Sequence, residues 1–184
     1  MELSDGQLEI NKKIIVELLI STNRPGIANV IDYLYTSGYF IVPSSLNGHH
    51  NWKGGLAQHS LNVCQIALAL DHDSSNASVI LCALLHDICK AAQLRYDCKG
   101  YLYKRDTYIK GHGKRSIKLL ESLGLRLKED EIWAIRWHMG GHYATNEEIG
   151  DLAIAKKSKL WQSIYAADRW DSNGANIINS IITR

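Results

Sequence analysis

One apolar stretch, ASVILCALLHDICKAA at residues 77–92, constrains the fold of this chain more than any other segment. It is apolar on every side, which is typical of a helix at the centre of a globular protein rather than at its surface. His86, Asp87 and Lys90 interrupt this apolar surface. Because an isolated buried carboxylate is very costly, we expect Asp87 to be paired or bound to a metal.

Hydrophobic periodicity elsewhere predicts an all-α fold, a compact helical bundle with at most one small β-hairpin. The predicted helices cover residues 7–21, 25–37, 56–70, 77–92, the segment between Gly113 and Gly124, 128–138 and 151–171. Tyrosines on both sides of a Lys-Gly turn in RYDCKGYLYKRD, residues 95–106, predict the hairpin. No repeat or linker divides the chain, so we expect one domain over residues 1–184.

The composition narrows the class of protein only slightly. A formal net charge of +2 argues against a dedicated nucleic-acid-binding protein, although nucleic acid stays a possible partner. No apolar run approaches the roughly 18 residues of a membrane span, and the N-terminus lacks the pattern of a signal peptide. The four cysteines form no C-x-x-C pair, which is typical of reduced thiols. We therefore expect a cytoplasmic protein without a membrane segment, and no pattern predicts its oligomeric state.

Several predicted helices each direct a side chain of the metal-ligand type towards the interior. His59 lies on the apolar stripe of the third predicted helix, and Asp168 lies on that of the last. Glu131 and His138 share one face of the sixth predicted helix. A single inward histidine is more often a hydrogen-bonded core residue than a ligand. Several such residues on separate helices favour a shared metal centre, whose imidazole and carboxylate ligands suit Zn, Fe, Mn, Ni or Co.

These residues also stand in a familiar order. His59 lies in GGLAQHS, His86 and Asp87 lie in LLHDICK, and Asp168 lies in YAADRWDS. The pattern resembles the HD-domain superfamily of metal-dependent phosphohydrolases, whose signature is H…HD…D on an all-helical core. The resemblance covers residues 52–172 as the core and leaves residues 1–50 as an N-terminal helical extension.

The resemblance implies four ligands for a first metal, namely His59, His86, Asp87 and Asp168. His112 in KGHGKRS and His138 in IRWHMGGH are similar to the two extra histidines of the subset that binds two metals. In that subset Asp87 would bridge both metals. His142 competes with His138, because relatives often carry two histidines close together here. The implied cofactors are one or two divalent transition metals, namely Mn, Fe, Ni, Co or Zn.

The implied activity is hydrolysis of a phosphoester, of a nucleotide or an oligonucleotide, by a metal-bound hydroxide. Asp87 would take part in catalysis, and Lys90 matches the lysine expected to contact the substrate phosphate. Arg169 either reaches a substrate phosphate or pairs with Asp171, and the structural pairing is favoured. A leaving-group acid is also needed. Its candidates are His142, His50 and Lys53, and Lys53 is a further candidate for substrate binding.

Two other classes of function stay open. Some HD-like domains are non-catalytic or regulatory binding modules, although the ligand set here is intact. A few HD relatives are di-iron oxygenases that use the same helical cage. The expected partner is a small phosphoester or nucleotide, and the sequence does not distinguish a monoester from a diester substrate.

Overall fold

The computed structural model describes residues 3–96, 102–104 and 111–173 of the chain. Two strands, β1 (Leu94–Tyr96) and β2 (Leu102–Lys104), pair antiparallel, and residues 97–101 between them lie outside the described residues. Two 3-10 helices cover Gly140–Tyr143 and Asn146–Glu148. This arrangement confirms the predicted all-α class with one small hairpin. The α-helices are α1 (Asp5–Ser21), α2 (Ile27–Ser37), α3 (Gly55–Leu70), α4 (Asn76–Leu85), α5 (Lys90–Gln93), α6 (His112–Ser122), α7 (Glu129–Arg136), α8 (Ile149–Ala155) and α9 (Lys159–Ser172).

Helix α4 lies at the centre of the bundle, as its apolar sequence predicts. It packs against α1, α3, α7 and α9. Every residue from Ser78 to Leu85 is buried. A helix enclosed in this way offers no solvent to a polar side chain, so the polar residues that follow it need partners from the protein or from a ligand.

The prediction of a continuous helix over residues 77–92 is wrong at its C-terminal end. Helix α4 ends at Leu85, and the chain forms turns until α5 begins at Lys90. The amide of Lys90 donates to the carbonyl of Asp87 at 2.9 Å, a three-residue bond that is tighter than an α-helical one. His86 and Asp87 therefore lie in a tight turn at the end of the buried helix.

The prediction of one long helix over residues 151–171 is also wrong, because α8 and α9 are separate helices. The chain turns at residues 156–158, and Ser158 is the N-cap of α9. Its Oγ accepts a hydrogen bond from the amide of Trp161 at 3.3 Å. Serine is a favoured N-cap residue, so this break was visible in the sequence although the periodicity masked it.

The sixth predicted helix corresponds to α7, which ends at Arg136 and leaves His138 in the turn that follows. Glu131 was predicted to share a face with His138. It is fully buried and instead forms an ion pair with Arg24, while the hydroxyl of Ser78 donates to its Oε1 at 2.7 Å. Since a buried carboxylate is stable only with such partners, Glu131 has a structural role here.

The N-terminal extension contributes to the same hydrophobic core as the rest of the described chain. Ile15 and Leu19 of α1 are fully buried, as are Val30 and Leu34 of α2. Helix α1 packs against α3 and α4. Within the described ranges, no helix combines the length and the apolar composition needed to cross a membrane.

Candidate metal centre

Five separate segments bring the predicted ligands to one place beside the C-terminal end of α4. The segments are α3, the turn after α4, the first residue of α6, the turn after α7, and α9. All of the ligands are buried except His112, whose side chain is 11% exposed. In chain order these residues are His59, His86, Asp87, His112, His138 and Asp168.

A glycine allows two of these segments to meet. A Cβ atom at Gly113 would lie 2.4 Å from the carbonyl oxygen of Arg136, far closer than van der Waals contact permits. The start of α6 therefore lies directly against the end of α7. As a result, the rings of His112 and His138 have centroids only 5.0 Å apart.

Three side chains form the first group of candidate ligand atoms. Nε2 of His59 lies 3.3 Å from Nε2 of His86 and 3.2 Å from Oδ1 of Asp168. Asp87 directs Oδ2 towards this group, at 3.4 Å from Nε2 of His86. Two imidazoles and two carboxylates at these spacings fit a single divalent transition metal.

The other carboxylate oxygen of Asp87 faces a second group. Oδ1 lies 3.5 Å from Nε2 of His112 and 3.5 Å from Nε2 of His138. Among the described residues, neither Oδ1 of Asp87 nor Nε2 of His138 has a hydrogen-bond partner, although both atoms are buried. Buried polar atoms are rarely left in this state, and a cation would satisfy both of them. The residues present therefore fit two metals that share Asp87.

The imidazole rings are oriented by their other nitrogen atoms. Nδ1 of His86 lies 2.8 Å from the carbonyl of Ala83, and Nδ1 of His138 lies 2.7 Å from that of Ile135. A carbonyl only accepts, so each Nδ1 carries a proton, and in the neutral form of each ring Nε2 keeps a lone pair. The lone pairs face the centre, as metal ligands require.

The charges of the cluster favour an ionised Asp87. Burial alone would raise the pKa of this carboxyl, but Lys90 and then His86 hold it well below its usual range. Nζ of Lys90 lies 2.6 Å from Oδ2 of Asp87. Burial disfavours the ammonium group, yet Asp87 outweighs burial and raises the pKa of Lys90. The pair therefore stays charged at neutral pH.

The histidines of the cluster differ in pKa. Burial opposes protonation of His59, but hydrogen bonds with Asp168 and Asp171 outweigh burial and raise its pKa to about 9. Burial lowers the pKa of His112 to about 3, against the attraction of Asp87. His112 is thus neutral at physiological pH, whereas His59 would have to release a proton before it could hold a metal.

The family model described as HD domain matches residues 56–173 of the chain. The chain belongs to the HD-domain family. The clustered histidines and aspartates agree with an HD metal site, and the helical bundle is the fold expected for the family. Comparisons with curated proteins and with solved structures gave no match.

A pocket of about 210 Å³ opens beside Asp87. Two cationic side chains, those of Lys90 and Arg169, line it. Arg169 is exposed and its guanidinium carbon lies 5.7 Å from the ring centroid of Tyr165. The remaining lining residues are His49, Met139, Asp168, Ser172 and Asn173.

The structure places two of the predicted site residues elsewhere. His142 is exposed on the 3-10 helix after α7 and does not line the pocket beside Asp87. Nζ of Lys53 lies 3.2 Å from Oδ1 of Asp5, and Lys53 lines a separate surface groove with Lys12. The geometry selects His138 over His142 as a neighbour of Asp87.

Sequence patterns gave His49 and Asn62 no role and suggested His50 only as a leaving-group acid. They suggested Asp171 only as a partner of Arg169. The structure instead places His50 against Asp171 and outside the pocket lining. His49 lines the pocket, and His50, Asn62 and Asp171 form hydrogen bonds behind His59. Spacing carried a signal for two of these, because Asn62 and Asp171 each follow a predicted ligand by three residues and share its helix face. No local pattern marked the two loop histidines.

Proposed function

We propose that this HD-domain protein is a metal-dependent phosphohydrolase that cleaves a phosphodiester of a nucleotide or a short oligonucleotide. One observation carries the proposal: the two oxygens of Asp87 face two different groups of histidines. A carboxylate in this position suits two bridged cations, and two-metal sites are suited to displacement at phosphorus.

The ligands divide between two positions. His59, His86 and Asp168 would hold the first cation together with Oδ2 of Asp87, and His112 and His138 would hold the second together with Oδ1. When bound, such cations act as Lewis acids and lower the pKa of water. The protein's own contribution is to fix the ligand rings and to keep this side of the pocket closed to bulk solvent.

Two positively charged side chains would bind the substrate phosphate. Lys90 is held 2.6 Å from Asp87 at the inner wall of the pocket, where its remaining N–H groups are available to a phosphoryl oxygen. Arg169 lies at the outer wall, where its planar guanidinium suits a second phosphate oxygen. Both side chains would neutralise negative charge that grows on the phosphoryl oxygens in the transition state.

His49 is the best placed donor for the leaving group. Its Nε2 lies 3.2 Å from the hydroxyl of Ser172 at the pocket wall. Burial, with the nearby His59, lowers the pKa of His49 to about 4, so the ring is neutral at physiological pH. A neutral ring keeps one N–H, which we assign to a hydrogen bond with the leaving-group oxygen. His142 and Lys53 have no part in this proposal.

The direct test is turnover by the full chain after removal of metal and reloading with Mn²⁺. Bis(p-nitrophenyl) phosphate and p-nitrophenyl phosphate separate diesterase from monoesterase activity, and cyclic and dinucleotide substrates follow. We expect metal-dependent cleavage of the diester that is lost in Asp87→Ala, together with bound metal, and kept in the exposed control His72→Ala.

Other outcomes would replace the proposal. Metal binding without turnover of any phosphoester would favour a regulatory binding module. Optical bands that change with O₂ after iron loading, again without phosphatase activity, would favour a di-iron oxygenase. An active Asp87→Ala variant would contradict the role of the bridging carboxylate.

A further inference from the structure

We infer that Asp171 and His50 are positioning residues that fix the metal-binding ring of His59. His50 lies in the loop before α3, outside the residues that match the family model. The inference rests on the metal centre of the proposed function, but it does not depend on which substrate is cleaved.

Three side chains converge on the carboxylate of Asp171. Oδ2 lies 2.6 Å from Nδ1 of His59 and 2.8 Å from Nε2 of His50. Oδ1 accepts a hydrogen bond from the side-chain amide of Asn62 at 2.7 Å. The side chain of Asp171 is only 8% exposed. Because an ionised carboxylate only accepts, both imidazole nitrogens that contact it must donate.

This network selects the tautomer of His59. With the proton on Nδ1, the neutral ring directs the lone pair of Nε2 towards Asp168 and His86. His86 and His138 obtain the same orientation from backbone carbonyls. A charged carboxylate makes the ring more basic than a carbonyl does, and therefore a stronger ligand. Asp171 thus makes the ring of His59 more basic than the backbone carbonyls make the rings of His86 and His138.

The loop that carries His50 is built to hold this contact. His50 has a φ of 49°, a left-handed conformation that non-glycine residues adopt uncommonly. Its carbonyl oxygen accepts from the amide of Ser44 at 3.0 Å. A Cβ at Gly55 would lie 1.9 Å from the same oxygen, so only glycine allows the loop to lie against the start of α3. The ring of Trp52 packs on that of His50 with centroids 4.8 Å apart.

A strained residue that is held by several contacts and directed at the hydrogen-bond partner of a candidate metal ligand is typical of a functional site. The loop therefore influences the metal centre indirectly, through residues outside the ligand set. His50 orients Asp171, Asp171 orients His59, and His59 binds the cation. A loop that only closed the core would not need a buried imidazole beside a buried carboxylate.

The test measures the affinity of the metal-free full chain for Mn²⁺ without substrate. Asp171→Asn should raise the Kd about 10–100-fold, because the amide no longer accepts from both rings. Asn adopts left-handed backbone conformations readily, so His50→Asn removes the contact without added strain. It should weaken binding about 10-fold. His50→Gln keeps a side-chain donor and should stay within about twofold of wild type, as should the exposed control His72→Asn.

Kinetics add a second readout. Since a bound cation restores the ring orientation, kcat at saturating Mn²⁺ should change little, while the Mn²⁺ concentration for half-maximal activity should rise with the Kd. Far-UV circular dichroism checks the folding of each variant. If Asp171→Asn does not fold, the comparison of His50→Asn with His50→Gln decides the question.

Equal Mn²⁺ affinity in wild type and His50→Asn would overturn the inference, and so would equal losses in His50→Asn and His50→Gln. Wild-type protein that binds Mn²⁺ but cleaves no phosphoester would overturn the proposed hydrolysis alone. Wild-type protein that binds no Mn²⁺ would overturn the metal centre and the positioning roles together.

Discussion

Nζ of Lys90 lies 2.6 Å from Oδ2 of Asp87, and the same oxygen lies 3.4 Å from Nε2 of His86. One carboxylate therefore joins the residues proposed to hold metal to the residue proposed to hold phosphate. The ion pair spans three positions across the turn that ends α4. Substitutions on the two sides of Asp87 should separate metal binding from turnover.

The first prediction concerns Lys90. Lys90→Ala should keep the metal content of wild type, because the lysine is not a ligand. It should lower kcat about 100-fold or more, as expected when a preorganised donor to the transition state is removed. Elemental mass spectrometry and steady-state kinetics measure the two effects, with the exposed Lys13→Ala as the matched control. Unchanged kinetics, or a loss of metal, would remove the proposed role.

The second prediction concerns the number of metals. His112→Ala should reduce the metal content from two per chain to about one, because Oδ1 of Asp87 would keep only His138 as a neighbour. His142→Ala should keep both metals, since His142 is exposed. Elemental mass spectrometry measures the metal content per chain of both variants. Two metals in His112→Ala would show that His112 is not a ligand, and a single metal in wild type would restrict the centre to the first group of ligands.

The third prediction concerns His49. His49→Ala should bind metal like wild type and lower kcat about 10-fold, as expected when one hydrogen bond of about 1.4 kcal/mol to the leaving-group oxygen is lost. His49→Gln should recover part of the loss, because its amide also donates a hydrogen bond. A substrate with an activated leaving group, such as p-nitrophenol, should be affected less than a nucleotide. Equal losses for both leaving groups would assign His49 to substrate binding instead.

The fourth prediction concerns the contact between α6 and α7. Gly113→Ala places a Cβ 2.4 Å from a backbone carbonyl, so it should destabilise the fold by about 1–3 kcal/mol and weaken the second metal position. Gly150→Ala is the matched control, because no heavy atom lies within 4 Å of its added Cβ. Since Gly150 is in a helix, that variant should be neutral or more stable. Chemical denaturation measures the free energy of unfolding of both variants. Equal values would show that α6 shifts away from α7 and accommodates the added Cβ without cost.

The fifth prediction concerns pH and stability, away from the metal centre. Burial would raise the pKa of Asp71, but hydrogen bonds from the amides of Ser74 and Asp73 and from Ser163 hold it below its usual value. A depressed folded-state pKa adds stability above the unfolded value of about 3.9, and this stability is lost as the pH falls through the folded pKa.

Asp71→Asn should therefore be less stable than wild type at about pH 7, and the gap should narrow as the pH falls below about 4. Urea denaturation across this pH range measures the gap. The neighbouring variant Asp73→Asn is the control and should show no such trend. A gap that stays constant from neutral to acid pH would mean that the charge of Asp71 does not stabilise the fold.

Much of the fold was predictable because hydrophobic periodicity is local. A residue on the apolar stripe of a helix must face the core in any arrangement of helices, so His59 and Asp168 were expected inside. The ends of the helices were less predictable. The four residues after Leu85 are weak helix formers, but the apolar pattern continues to Ala92, so the turn at His86 and Asp87 was not predicted.

By itself, the sequence determined the all-α class, the buried central helix and the types of ligand directed at the interior. Tertiary structure decided which of them meet. It paired Glu131 with Arg24, placed His138 rather than His142 beside Asp87, and joined His50 to Asp171 across 121 positions. The physical reason is that periodicity reports which side of a helix is buried. The partner of a buried polar group depends on how distant helices and loops pack together, which no local pattern contains.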